Sequence, residues 1–220
     1  MELVQASIPA RRIEVDPAAG WAGKQGAEFA TRNPTDVAAT DKSYTLRYGI
    51  ARTDVNRWAL EGVPLAASIL EVGTSAGAQL NAMAAIGYPN LAGCDVSADA
   101  LKHCVWPNKV ADGRALPYES GSFDVVMTSG TLMQIAPGSK AQFMAECYRV
   151  AKRWVYGVEA ASEQARTWGF GGIIPPAWTD HVPETVLAPG WRIVRSRWLH
   201  PLPTHGQEKM SLRAYLLERE

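Results

Sequence analysis

The stretch Ser68-Ile-Leu-Glu-Val-Gly-Thr-Ser-Ala-Gly-Ala-Gln-Leu80 decides the fold. It opens with a short apolar run that contains the β-branched residues Ile69 and Val72, which is typical of a buried parallel strand. Gly73 ends this run, and residues 78–86 have the pattern of a helix with one apolar face. A strand, a glycine turn and a helix begin a doubly wound nucleotide-binding unit. The glycines let a ligand approach the backbone, and the start of the helix offers unpaired N–H donors.

The second segment, residues 90–101, adds an acidic residue at the distance that such a unit requires. Residues 91–95 are predicted to form a strand that ends at Asp95, and Ser97 is predicted to cap the following helix. Asp95 lies 22 residues after Gly73. At this distance a carboxylate at the tip of the second strand accepts hydrogen bonds from both ribose hydroxyls of a nucleotide. The turn and the acid together are stronger evidence than the glycines alone.

Two further motifs follow, and the four pieces resemble a known family as a set. The motifs are Ala111-Asp-Gly-Arg-Ala-Leu-Pro-Tyr118 and Gly121-Ser-Phe-Asp-Val-Val-Met-Thr-Ser-Gly130. In this order and spacing, residues 65–160 resemble the class I methyltransferases that depend on S-adenosylmethionine (SAM). The resemblance implies a Rossmann-like α/β fold with a seven-stranded, mostly parallel sheet, an antiparallel last strand and helices on both faces. It also implies SAM as the cofactor and methyl transfer as the activity.

The resemblance assigns roles to particular residues of the cofactor site. Asp95 takes the ribose, Glu71 supports the site and Ser129 flanks the methyl group. Asp112 accepts from the adenine amino group or orients its neighbours; alternatively it is a turn carboxylate, because Asp-Gly is a strong turn signal on its own. The complete set of expected cofactor-binding residues is Glu71, Gly73, Thr74, Ser75, Gly77, Asp95, Val96, Asp112, Gly113, Ser129 and Arg32.

Residues 21–33, Trp-Ala-Gly-Lys-Gln-Gly-Ala-Glu-Phe-Ala-Thr-Arg-Asn, are predicted to form a helix that Pro34 stops. Trp21 and Phe29 are eight residues apart, so they would share one helix face. The helix either packs on the sheet or forms a lid in which Arg32 meets a carboxylate, for instance that of the methionine part of the cofactor. The pattern also resembles the start of a methyltransferase group associated with pseudaminic acid biosynthesis, which implies an activated sugar or a nucleotide-linked metabolite as the acceptor.

The acceptor side is expected near the loop after the fourth strand, since ligands of open parallel sheets bind beyond the carboxyl ends of the strands. Gln134 in this loop stands where the sugar-associated group often has His, so no base is carried over to it. Residues 160–190 are a variable insert of the kind that builds the acceptor pocket in this fold. His181 beside Asp180 is the best candidate for a catalytic base. A lone loop histidine is more often a surface residue, and displacement on an activated sulfonium depends chiefly on alignment.

Composition agrees with one compact domain and limits the partners. The chain has 220 residues, of which 47 % are hydrophobic, and its 22 basic and 22 acidic residues give no net charge. The composition thus gives no general electrostatic attraction to nucleic acid. Nucleic acid stays an alternative acceptor, because a local basic groove would be enough to bind it. The three cysteines and four histidines lack metal-type spacing, so no metal is expected, and a reduced, cytoplasmic setting is the simple interpretation. The sequence shows no signal-peptide pattern and no apolar run of the ~20 residues that span a bilayer, so no membrane segment is predicted.

The sequence therefore predicts residues 1–62 as an N-terminal arm and helical cover or lid, and residues 63–220 as a SAM-dependent methyltransferase domain. Residues 36–62 are predicted to form one or two helices, in which core or surface roles for Tyr44 and Arg47 are favoured over ligand contact. The predicted function is methyl transfer to an O or N atom of a small molecule, by a monomer or homodimer. The alternatives are modification of a nucleobase or nucleic acid, and a non-catalytic module that binds an adenosyl nucleotide. A dehydrogenase that uses NAD is a further alternative, against which Gly73-x-x-x-Gly77 lacks the Gly-x-Gly-x-x-Gly order.

Overall fold

A computed structural model describes residues 17–33, 35–161, 167–170, 174–178, 183–203 and 210–220. Its main feature is a seven-stranded sheet with the strand order β3-β2-β1-β4-β5-β9-β8. Strands β1 to β5 run parallel, and β9 is inserted antiparallel between β5 and β8. A separate antiparallel pair consists of β6 and β7. The strands are β1 Ile69–Val72, β2 Leu91–Asp95, β3 Asn108–Val110, β4 Phe123–Ser129, β5 Ala151–Ala160, β6 Thr167–Phe170, β7 Ile174–Trp178, β8 Trp191–Leu199 and β9 Leu212–Arg219.

Helices cover both faces of this sheet, as predicted. Successive side chains of a strand point to opposite faces, so Ile69 joins one buried cluster while Leu70 joins the other. Helices α4 and α5 pack on the first face and α7 packs on the second. The helices are α1 Pro17–Ala22, α2 Lys24–Arg32, α3 Val37–Tyr48, α4 Arg52–Ala59, α5 Ala78–Ala85, α6 Ala98–Leu101, α7 Lys140–Val150 and α8 Pro183–Val186. Within the described part of the chain, no helix is both long enough and apolar enough to span a membrane.

Two boundaries differ from the prediction. The single helix expected over residues 21–33 is divided at Gly23, whose backbone is extended and whose residue type disfavours a helix interior. The rings of Trp21 and Phe29 nevertheless meet edge to face, with centroids 5.3 Å apart. The sequence predicts the fifth strand over residues 154–158 with Glu159 at its end, but the strand spans Ala151–Ala160, because β4 pairs with its start and β9 pairs with it as far as Ala160.

Candidate active site

A cavity of about 520 Å³ lies beyond the carboxyl ends of the parallel strands, where the strand order predicts a ligand site. Helices α2 and α3 contribute its outer wall, and the loops after β1, β2 and β4 contribute its floor. Most of the expected cofactor-binding residues line this cavity: Arg32, Gly73, Ser75, Asp95, Val96, Asp112, Gly113 and Ser129. The other three, Glu71, Thr74 and Gly77, lie behind its wall.

The turn after β1 is shaped by a close approach to the loop after β4. Gly73 has a φ of +80°, and a Cβ atom there would lie 2.3 Å from Oγ1 of Thr131. The Thr131 hydroxyl in turn donates to the carbonyl oxygen of Val72 at 3.2 Å. Only glycine combines this backbone conformation with the space required. The predicted need for a glycine at this position therefore has a steric cause in the fold itself.

Asp95 ties this turn to the end of β2. Its two carboxylate oxygens accept from the backbone N–H groups of Ser75 at 2.8 Å and Ser97 at 2.9 Å. Ser75 has a left-handed φ of 49°, which is uncommon for a residue other than glycine, and the bond to Asp95 holds it there. Burial raises the pKa of Asp95, although these backbone donors oppose the rise. Each carboxylate oxygen keeps a further lone pair, so Asp95 can still accept hydrogen bonds from a ligand in the cavity.

Asp112 shapes the third loop. It accepts from the backbone N–H of Arg114 at 2.8 Å and forms an ion pair with the guanidinium of the same residue at 2.6 Å. The side chain of Arg114 holds the pKa of Asp112 below its usual range. The turn role that the Asp-Gly pair suggests is thus observed. The contact with adenine stays a prediction.

The three residues behind the wall brace the turn. Glu71 is buried, and it accepts from the hydroxyl of Thr74 at 2.8 Å. Burial raises the pKa of Glu71 to about 8. Gly77 begins α5 against Cys104, whose Sγ would lie 2.8 Å from an added Cβ. These positions fit the supporting role predicted for Glu71 and extend it to Thr74 and Gly77.

Sequence reasoning missed a buried arginine beneath the cavity. Arg52 donates from Nε to Asn56 Oδ1 at 2.9 Å, and from Nη1 to Tyr44 Oη at 2.8 Å and to Ser129 Oγ at 3.0 Å. Its side chain is fully buried. The only local signal was an Arg-Asn pair at i,i+4 on the face of α4 that also carries Val55 and Ala59. Arg52 connects α3 and the end of β4, two elements that both reach the cavity.

A second missed residue, Glu159, holds the loop after β4 in place. Its two oxygens accept from the backbone N–H groups of Thr131 at 3.2 Å and Leu132 at 3.1 Å. Burial raises its pKa to about 7. The same loop is held from the other side, since Trp21 Nε1 donates to Gln134 Oε1 at 3.3 Å. The loop that was expected to face the methyl group is thus fixed by β5 below and α1 above.

The predicted catalytic pair, His181 and Asp180, lies outside the described residues. Arg32 lines the cavity from α2 and is exposed. Tyr44 and Arg47, for which core or surface roles were favoured, also line it.

Comparisons with known proteins agree with this geometry. Residues 70–156 match the family model of the methyltransferase domain. The match indicates that residues 70–156 form a methyltransferase domain. The matched segment runs from β1 into β5 and so contains the glycine turn, Asp95 and Asp112. A search of curated proteins found no significant match.

Solved structures share the methyltransferase fold over most of the chain. Magnesium protoporphyrin IX methyltransferase from Synechocystis PCC 6803, with bound S-adenosylhomocysteine, has a TM-score of 0.64 and 14 % identity, over 91 % of this chain and 96 % of that chain. A SAM-dependent methyltransferase from Leishmania major has a TM-score of 0.64 and 15 % identity, over 92 % and 85 %. The 4+2 cyclase SpnF has a TM-score of 0.60 and 14 % identity, over 76 % and 79 %. At such identities the likeness establishes the fold alone.

Proposed function

We propose that this methyltransferase binds SAM in the cavity and transfers its methyl group to an O or N atom of a small molecule. The observation that carries the proposal is the Asp95 carboxylate, held by the backbone N–H groups of Ser75 and Ser97 at the edge of the cavity. It has the position and the remaining acceptor capacity that two ribose hydroxyls require. The neighbouring Gly73 lines the same cavity, where its turn packs closely against Thr131.

The residues of the chain would bind and orient the reactants. When bound, SAM supplies a methyl group that is already activated on a sulfonium. Asp95 would accept from the ribose, Asp112 would lie toward the adenine, and Ser129 at the end of β4 would flank the methyl. The buried Arg52 fixes the Ser129 hydroxyl at 3.0 Å, and this would restrict how the acceptor aligns. His181, with Asp180, remains the proposed base for an acceptor that must lose a proton.

The acceptor class follows from the sequence resemblance to the group associated with pseudaminic acid. We infer an activated sugar or a nucleotide-linked metabolite, with residues 1–62 as arm and cover and residues 160–190 as the acceptor-side insert. The Synechocystis enzyme is named for a small molecule, magnesium protoporphyrin IX, and this agrees with a small-molecule acceptor. The zero net charge of the chain gives no general attraction to nucleic acid.

Calorimetric titration with SAM, S-adenosylhomocysteine and NAD tests the cofactor. The wild type should bind both adenosyl ligands, and Asp95→Ala should weaken them at least tenfold, which corresponds to about 1.4 kcal/mol. Asp95→Asn should fall between the two, because the amide keeps one acceptor oxygen. Asp99→Ala is a matched control, since Asp99 is exposed and paired with Lys102 on the following helix. Binding of NAD with no binding of the adenosyl ligands would overturn the proposal.

Turnover separates the remaining alternatives. An adenosyl-binding module without catalysis would bind S-adenosylhomocysteine normally yet transfer no label from methyl-labelled SAM to any pool of small molecules or nucleic acid. A nucleic-acid enzyme would instead label RNA or DNA, and its retention on nucleic acid would weaken steeply with salt.

A further inference from the structure

The cavity is longer than a site for the adenosyl group alone. Besides helix residues, its lining includes residues from six neighbouring strands, β3, β2, β1, β4, β5 and β9, or from the loops next to them. Adjacent strands lie about 4.8 Å apart, so the distance from β4 to β9 is about 10 Å. The part of the cavity under α3, which we call the α3 end, therefore lies beyond the expected position of the methyl group. It is lined by Tyr44, Arg47, Tyr48, Val158, Met210 and Leu212.

The walls of the α3 end are apolar and aromatic. Tyr44 and Tyr48 lie one helical turn apart, with ring centroids 5.5 Å from each other. The hydroxyl of Tyr48 donates to the carbonyl oxygen of Met210 at 3.2 Å, so its ring is held against the start of β9. Flat aromatic walls of this kind pack against the ring of a ligand rather than against an extended polar chain.

The polar groups at the α3 end are hydrogen-bond donors. Arg47 is exposed, lies 6.0 Å from the ring centroid of Tyr48, and forms no salt bridge with any residue that the structure describes. Arg52 Nη1 donates to both Tyr44 Oη and Ser129 Oγ, so each of these oxygens accepts there and must direct its own hydrogen elsewhere. Nη2 of Arg52 is buried and has no partner among the described residues.

The carboxylates that line the cavity lie at its other end. Asp95 ends β2, Asp112 lies in the loop after β3, and Arg114 already pairs with Asp112. Glu159 is fully buried and does not line the cavity, and its oxygens face the backbone N–H groups of Thr131 and Leu132. The charge of the cavity is thus divided: carboxylate acceptors lie at the adenosyl end, and the Arg47 cation and the Tyr44 hydroxyl lie at the α3 end.

We propose that the α3 end binds an acceptor in which an anionic group, carboxylate or phosphate, is attached to a ring. Arg47 pairs with the anion, the hydroxyl of Tyr44 donates to one of its oxygens, and the tyrosine rings pack against the body of the acceptor. Hydrogen bonds from a charged donor to an anion are roughly twice as strong as neutral ones, so this pairing selects acids over their neutral counterparts. The inference rests on the proposed function and narrows its acceptor class.

The test uses the full chain loaded with S-adenosylhomocysteine and three small ring probes. Benzoate and phenyl phosphate carry the two anions, and benzyl alcohol is their neutral counterpart. NMR titration of each probe should give binding of at least one anion that is tenfold or more tighter than that of benzyl alcohol. Arg47→Gln should abolish this preference, and Tyr44→Phe should reduce it. Arg57→Gln should leave it unchanged, since Arg57 is exposed on α4 and paired with Asp54.

The probe titrations test the anion site at the α3 end, whereas the titration with S-adenosylhomocysteine tests the proposed function. Preference for benzoate assigns a carboxylate acceptor, and preference for phenyl phosphate assigns a phosphate ester. Equal binding of the neutral probe, no binding of either anion, or a preference that survives Arg47→Gln overturns the inference while adenosyl binding still supports the proposed function. If S-adenosylhomocysteine itself fails to bind, it is the proposed function that has failed.

Discussion

Two buried carboxyl groups beneath the cavity make the stability of this protein depend on pH. Glu159 and Glu71 are both buried, and burial raises their pKa values from 4.5 to about 7 and about 8. The unfolded chain releases these protons near pH 4.5, whereas the folded chain keeps them to higher pH. Their contribution to stability is therefore complete below about pH 4.5 and is lost as the pH rises through the folded pKa values.

We predict that the free energy of unfolding falls as the pH rises from about 4.5 to about 8. For Glu159 alone the difference in pKa corresponds to about 3 kcal/mol. Glu159→Gln should flatten the pH dependence, because glutamine has no proton to lose, whatever its effect on stability at one pH. Urea denaturation at a series of pH values measures this, with Glu119→Gln, a change at an exposed site, as the control. A slope that is identical in wild type and Glu159→Gln would contradict the assignment.

At the scale of single residues, the sequence predicts those site residues whose pattern lies within one short segment of the chain. Gly73 and Asp95 were predicted because a glycine turn and an acid at the next strand end have a fixed spacing within one unit. Arg52 and Glu159 were missed because their partners come from distant segments: Ser129 is 77 residues from Arg52, and Thr131 is 28 residues from Glu159. Hydrophobic periodicity alone would assign Arg52 to the helix surface and Glu159 to a strand end.

At the scale of elements, α1 and α2 form a cover that is fastened to the loop after β4. Trp21 donates a hydrogen bond to Gln134 of this loop, and its ring contacts that of Phe29 on α2. Gly26 on α2 also approaches Ser97, whose Oγ would lie 2.8 Å from an added Cβ. The cover thus touches both the methyl side and the adenosyl side of the cavity.

We predict that Trp21→Phe loosens this cover. The variant keeps a ring near Phe29 but loses the donor to Gln134, and one hydrogen bond contributes about 1 kcal/mol. Amide hydrogen exchange in α2 should therefore accelerate by roughly fivefold, and Trp21→Ala should accelerate it further. Trp58→Phe on α4 serves as the control, because Trp58 packs beside Arg197 instead. Unchanged exchange in both Trp21 variants would show that the cover is held by other contacts.

Element boundaries were predictable wherever the signal lay within the element. Asp95 ends β2 as expected, and Ser97 accepts from the N–H of Ala100 at 3.2 Å as the predicted cap. The division at Gly23 was missed because the hydrophobic spacing of Trp21 and Phe29 continues across it. The extension of β5 was missed because it depends on β9, a strand that begins at Leu212.

At the scale of the whole molecule, the antiparallel insertion of β9 completes the sheet. Local patterns predict several strands, among them β1 and β2, but not β3, β6 or β7, and they do not predict the strand order, since β5 and β9 are joined by more than fifty residues. The order came from the family resemblance, which the observed sheet confirms. The pairing of β5 with β9 depends on a small number of positions at which directly paired residues pack closely against each other.

The fit between Gly157 on β5 and Tyr215 on β9 is the clearest such position. The two residues are directly paired, and a Cβ at Gly157 would lie 2.1 Å from Cζ of the fully buried Tyr215 ring. Gly157→Ala should therefore destabilise the fold by roughly 2–3 kcal/mol through overpacking. Gly138→Ala, at a position with open space, should change stability by less than about 0.5 kcal/mol.

A double-mutant cycle separates this clash from a general intolerance of β5. Tyr215→Leu removes the ring atoms that an alanine at 157 would meet, and the Tyr215 hydroxyl has no hydrogen-bond partner among the described residues to lose. Gly157→Ala should then add little to the cost of Tyr215→Leu, so the coupling free energy from urea denaturation should exceed about 1 kcal/mol. Additive costs would mean that Gly157 is required for its backbone rather than for the ring packed across it. Strong coupling would place the specificity of the β9 insertion in this pair, since a displaced β9 would bring the Tyr215 ring against a residue that has a Cβ.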